Sequence, residues 1–199
     1  MNTVFTKAYT SPAFDRREIL RYAGVRGDGD EFDALISECI DEVEDKLSYR
    51  VCFTEIEVRE CDGIIDLGFY KTDSETVKKH LEGCDTAVLF GATAGIEIDR
   101  LIHKYGALSP AKALIFQSIG AERIEALCDA FCNDVAKEYG VETARRFSPG
   151  YGDFPLEAQK EIFSTLDCAK RIGLTLNNSM LMSPTKSVTA IIGIKRRKI

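Results

Sequence analysis

Histidine is scarce in this chain of 199 residues, with only His80 and His103, and none of its seven cysteines forms a Cys-x-x-Cys pair. Structural zinc wants tightly clustered thiolates and imidazoles, so no metal site is expected. The thiols are Cys39, Cys52, Cys61, Cys84, Cys128, Cys132 and Cys168, and only Cys128 and Cys132 share a helical face. Reduced thiols packing as small apolar residues fit that pattern. No apolar run approaches the roughly 20 residues of a membrane span. Met1 to Lys7 carries no signal-peptide pattern. A cytoplasmic protein with no membrane partner is expected. Base is outweighed by acid, with a formal net charge of -6 and a pI near 5.1, which argues against nucleic acid as the main partner. The basic residues form a run only at Lys195-Arg196-Arg197-Lys198, read as a solvated tail, with a dock for an acidic partner as the alternative. There is no Gly-x-Gly-x-x-Gly and no P-loop Lys-Ser/Thr pair, so the sequence holds no nucleotide fingerprint.

What is present is ordinary globular composition, 45% apolar and 29% charged. At this length the chain is read as a single domain, residues 1–199, with 1–50 as a helical N-terminal part. Residues 1–14 read as extended. Asp15 can cap a helix over 16–23 that Gly24 ends. The loop Gly27-Asp28-Gly29 leads to a helix from Asp30 to about Ser48, whose face is Phe32, Leu35, Ile36, Cys39, Ile40, Val43 and Leu47. Residues 51–58 alternate as a strand, and 64–67 form a second. Asp73 or Ser74 caps a helix to about Leu81. Residues 86–91 read as a buried strand. The small residues Gly91-Ala92-Thr93-Ala94-Gly95 then read as a turn, an anion cradle being the alternative, before a helix over 96–104. The longest helical stretch runs from Ser109 to Glu138, with proline in its first turn and Gly120 as the point of a bend or division. Ile124, Leu127, Phe131 and Val135 form its stripe, and Asp129 lies off that stripe. Later come a helix over 156–166, a short strand over 174–176, a turn at 177–179 and a final strand over 187–194. Helices and short strands mix irregularly, which indicates the α+β class.

One stretch stands apart, Arg146-Phe147-Ser148-Pro149-Gly150-Tyr151-Gly152-Asp153-Phe154-Pro155. Its prolines and glycines forbid a helix and interrupt any ladder. Loops that combine rigid punctuation with recognising side chains often hold ligands. A guanidinium is a two-pronged donor suited to a carboxylate. A plain turn bearing a surface arginine is the alternative. Tyr151 between Gly150 and Gly152, with Phe154 as a second exposed aromatic, suits an interface.

The chain resembles the activation domain of cobalamin-dependent methionine synthase from about Ala87 to Ile194. The family's Arg-x-x-x-Gly-Tyr-x-x-x-Pro loop is matched by Arg146, Gly150, Tyr151 and Pro155. Its Gly-x-x-Leu-x-x-Ser is matched by Gly173, Leu176 and Ser179. Its Met-x-Pro-x-x-Ser-Val-x-Gly is matched by Met182, Pro184, Ser187 and Val188, with Ala190 in place of the last glycine. Its helix Glu-Ala-Phe becomes Asp129-Ala130-Phe131, and its Ala-Cys-Pro becomes Asp153-Phe154-Pro155. The resemblance implies a largely antiparallel twisted sheet flanked by helices, one of them long. It implies an S-adenosylmethionine site that includes Asp129, Arg146, Gly150, Tyr151, Gly152 and Asp153, with Arg146 on the ligand carboxylate and Tyr151 beside the corrin. The implied function is a stand-alone subunit that supports reductive remethylation of cob(II)alamin, with a flavodoxin-like or other electron donor. Residues 1–199 contain no Asp-x-His-x-x-Gly motif, so cobalamin is expected on the cobalamin-binding module of a methionine synthase or another corrinoid protein. The rival is a protein that caps a corrinoid partner without using S-adenosylmethionine.

Overall fold

The computed structural model describes residues 3–27, 29–140, 143 and 145–195. Met1, Asn2, Asp28 and the tail residues Arg196, Arg197 and Lys198 lie outside the described residues. Strand β1 (Phe5–Tyr9) precedes helices α1 (Arg16–Tyr22) and α2 (Asp33–Val43). Strands β2 (Tyr49–Glu57), β3 (Arg59–Cys61), β4 (Ile64–Asp66) and β5 (Lys71–Thr72) follow, then α3 (Glu75–Leu81) and β6 (Thr86–Thr93). A helical stretch holds α4 (Glu97–Leu108) and α5 (Pro110–Tyr139). After an irregular loop come α6 (Gln159–Leu166), α7 (Cys168–Ile172), β7 (Thr175–Leu176), β8 (Met182–Ser183) and β9 (Ser187–Ile194).

Helix starts follow side-chain caps. Asp15 accepts from the amides of Arg17 and Glu18 at 2.9 and 3.2 Å and opens α1. Ser74 accepts from the Val77 amide at 3.1 Å and opens α3. Ser109 caps α5 with Pro110 just inside, where the missing amide costs nothing. The 30 residues of α5 run unbroken through Gly120. That glycine does not divide the helix; it lets α4 and the β8–β9 connection approach. A Cβ there would lie 2.7 Å from Ile98 Cγ2 and 2.7 Å from Lys186 Cε.

The main sheet has the order β1-β2-β6-β9, and each adjacent pair is antiparallel. β6 and β9 are covered on both faces, β2 alternates, and β1 at the edge is largely exposed. Cys52, Ile56, Leu89 and Ile191 face a core shared with α3, α6 and α7. Val51, Phe90, Ala190 and Ile192 face a second core against the C-terminal half of α5. The N-terminal half of α5 packs with α1, α2 and α4 around Ile36, Phe116 and Ile119. One helix thereby joins the sheet to the helical N-terminal part. Three departures from the sequence reading have local causes. The helix expected over 30–48 is α only at 33–43, with single 3-10 turns on either side. Gly91 to Thr93 continue β6, paired with Cys52, Val51 and Arg50 of β2, so the turn is only residues 94–96. The α7 segment was missed because Asp167, in the left-handed region with φ 50, separates it from α6.

Candidate functional site

The loop after α5 is fixed at both ends. Phe147 exchanges backbone hydrogen bonds of 2.9 and 2.8 Å with Ile191 on the edge of β9. Neighbouring side chains on extended backbone point to opposite sides. Phe147 therefore enters the core, its ring stacked 4.3 Å from His80 and 5.8 Å from Phe154. Arg146 turns to the other side, over α5. There its Nη1 donates to Asp129 Oδ1 at 2.5 Å, and its Nη2 donates to Glu125 Oε2. Glu125 and Asp129 are four residues apart and so lie one above the other on the helix. Two like charges at that spacing repel, and the arginine between them removes the repulsion.

Arg146 keeps only 24% of its side chain exposed, whereas Asp129 keeps 66%. Burial disfavours the charged guanidinium, but the Asp129 hydrogen bond and the Glu125 and Asp129 charges outweigh it and hold the proton more firmly than usual. Burial pushes the neighbouring Cys128 and Cys132 thiols up, with Arg146 opposing it, so neither is poised as a thiolate. Ion pairs this open to water contribute about 0–1 kcal/mol.

The crest of the loop is a tight turn in which Gly150 N donates to Phe154 O at 2.9 Å and Phe154 N to Tyr151 O at 3.1 Å. Gly152 has φ 59, and a Cβ there would lie 2.5 Å from Thr76 Oγ1, so glycine is required twice over. Tyr151, between the glycines, is 67% exposed. Asp153 accepts from Ser74 Oγ at 2.5 Å, Glu75 N at 2.8 Å and Thr76 N at 3.1 Å. The Ser74 and Thr76 hydroxyls and the two amides hold its carboxyl well below the usual range. Its geometry is that of a cap tying the loop to α3. Phe154, expected as a second surface aromatic, is buried instead, against Phe147 and Tyr70. It forms the base of the turn and leaves Tyr151 alone at the crest.

Asp129 and Arg146 are thus brought together, while the glycines and Tyr151 sit further along the same loop. Glu125 was not singled out from the sequence; its signal is the four-residue spacing from Asp129. A cleft of about 950 Å³ lies elsewhere, between β2, the β3–β5 sheet and α6–α7, with Thr54, Ile56, Phe69 and Arg171 on its walls. Among the described residues no three His, Cys, Asp or Glu side chains group as metal ligands would. No helix among them is long and apolar enough to cross a membrane.

One cation held between two anions on the surface of an α+β domain complements a zwitterion such as the α-amino acid group. Residues 72–197 match the family model for the vitamin B12 dependent methionine synthase activation domain, and the chain belongs to that family. Among solved structures the fold is similar to that of the MetH reactivation domain bound to AdoHcy, with a TM-score of 0.71 and 15% sequence identity. That match covers 100% of this chain and 80% of the other. No match was found among curated proteins.

Proposed function

We propose that this chain, acting as one unit over residues 1–199, binds S-adenosylmethionine and supports reductive remethylation of cob(II)alamin carried by a partner. The partner is the cobalamin-binding module of a methionine synthase or a related corrinoid methyltransferase. The electron comes from a flavodoxin-like or other donor, and the setting is the cytoplasm. The observation that carries the reading is the Arg146 guanidinium shared between Asp129 and Glu125, in a loop that lies within the family match over residues 72–197. The AdoHcy held by the similar solved domain supports the same ligand class.

S-adenosylmethionine supplies a methyl group on a sulfonium. Arg146 takes the ligand carboxylate in place of its present acidic partners. Asp129 and Glu125, released on the same helix face, accept from the ligand ammonium. Gly150 and Gly152 let the turn close against Leu156 and Thr76 and so hold its crest outward, and Tyr151 on that crest meets the corrin. Asp153 holds the loop against α3 so that the crest keeps its shape. The protein's part is to position the reactants and exclude water. The test mixes the chain with a cobalamin-loaded partner, a reductant and S-adenosylmethionine. The cob(II)alamin absorption should give way to that of methylcobalamin only when the chain is present. A spectrum that stays that of cob(II)alamin would favour a capping protein that uses no S-adenosylmethionine.

A further inference from the structure

Cys52 and Cys168 are 116 residues apart in the chain, yet their sulfurs lie 3.8 Å apart in the buried core. Cys52 sits on β2 facing inward, and Cys168 opens α7 above it. The room they share is provided by Gly91, which pairs with Cys52 across the sheet. A Cβ on Gly91 would lie 3.2 Å from Cys168 Sγ and 3.6 Å from Cys52 Sγ. Any larger residue on β6 would crowd the pair.

The two thiols are unlike. Either sulfur can donate to the other; with Cys168 as donor, that bond, the Gly91 backbone and the Arg171 charge together outweigh burial and lower the Cys52 pKa. The same bond and burial push Cys168 up, so it keeps its proton. Burial pushes Cys39 up to about 11 and raises Cys84, Cys128 and Cys132, outweighing the nearby cations that oppose it. Access is short. Thr54, two residues along the same face of β2, and Asp167 and Arg171, which flank Cys168, line the cleft of about 950 Å³.

We propose that Cys52 and Cys168 form an oxidisable dithiol, which hydrogen peroxide converts to an intramolecular disulfide tying α7 to β2. The Cys52 thiolate attacks one peroxide oxygen. The O–O bond breaks, sulfur is oxidised to a sulfenic acid, and the other oxygen leaves as water after taking a proton. The Cys168 sulfur then attacks the Cys52 sulfur, losing its own proton and expelling the sulfenic oxygen as a second water. The sulfurs must close from 3.8 Å to about 2.05 Å, a movement that side-chain rotation and a small shift of α7 can share. A dithiol reductant reverses the change by exchange.

The test uses the full chain in native buffer with hydrogen peroxide, followed by unfolding, alkylation with a maleimide and peptide mass analysis. The expected product has lost two hydrogens, carries a Cys52–Cys168 crosslinked peptide, and returns to the starting mass with dithiothreitol. In Cys168→Ser, dimedone should label Cys52 as a trapped sulfenic acid. The proposal is overturned if Cys52 and Cys168 are both still alkylated in a sample whose exposed Cys61 has been fully oxidised. The readout needs no S-adenosylmethionine, so its failure would leave the proposed function untouched.

Discussion

Arg146 Nη1 and Asp129 Oδ1 meet at 2.5 Å, joining the loop to the long helix across 17 residues of sequence. Glu125 takes the other arm of the same guanidinium. The three charges form one network, so their contributions should not add. A double-mutant cycle on Arg146→Ala and Asp129→Asn, read by urea denaturation, should show a coupling of about 0.5 kcal/mol or more. Glu125→Gln should couple to Arg146 in the same sense. Additive effects in both cycles would show that the contacts are incidental.

Tyr151 stands exposed between two glycines, and the proposed function gives it a place at the partner's corrin. Tyr151→Ala should leave the melting temperature and S-adenosylmethionine affinity near the wild-type values while abolishing cob(II)alamin conversion with the partner. A loss of ligand affinity in this variant would move Tyr151 from the corrin face to the ligand site.

Gly120→Ala tests the contact between α5, α4 and the β8–β9 connection. Alanine is the better helix former by about 1 kcal/mol. The added methyl would nevertheless meet Ile98 and Lys186 at 2.7 Å, and overpacking costs about 1–3 kcal/mol. Lys186 can swing its flexible stem away, but Ile98 is fully buried. The variant should melt lower than wild type, and a higher melting temperature would contradict the packing described.

Asp153 makes stability depend on acid. Its carboxyl has a folded pKa below its unfolded value, because Ser74, Thr76 and the helix amides bond to the charged form. The stabilisation is fully present above the unfolded value of about 3.9 and is lost as pH falls toward the folded value. Thermal melts of the wild type should therefore decline below about pH 4, and Asp153→Asn should lower the melting temperature at neutral pH and flatten that acid decline. An unchanged acid slope in Asp153→Asn would assign it to other carboxylates.

Much of this architecture was legible in the chain because it rests on local rules. Asp15, Ser74 and Ser109 cap where capping chemistry places them, and β9 spans the 187–194 predicted from its branched apolar run. The pairing of Asp129 with Arg146 was reachable through the resemblance, since the two lie on different elements. The exceptions depend on tertiary contacts. Phe154 is buried because the turn folds back on Phe147, and Asp153 finds its donors on α3, 77 to 79 residues earlier. Gly91 looked like turn material but serves as the empty place beneath two cysteines. Composition cannot distinguish a glycine that bends the chain from one that makes room.

The central claim is that Arg146 holds the carboxylate of S-adenosylmethionine. Calorimetric titration of that ligand into the wild-type chain and into Arg146→Ala tests it most directly. The account predicts saturable binding to the wild type, weakened by about 1.5–3 kcal/mol in the variant, the scale of a lost charge-assisted hydrogen bond, with the melting temperature little changed. Measurable wild-type binding with the same affinity in Arg146→Ala would contradict it, as would the absence of any wild-type binding.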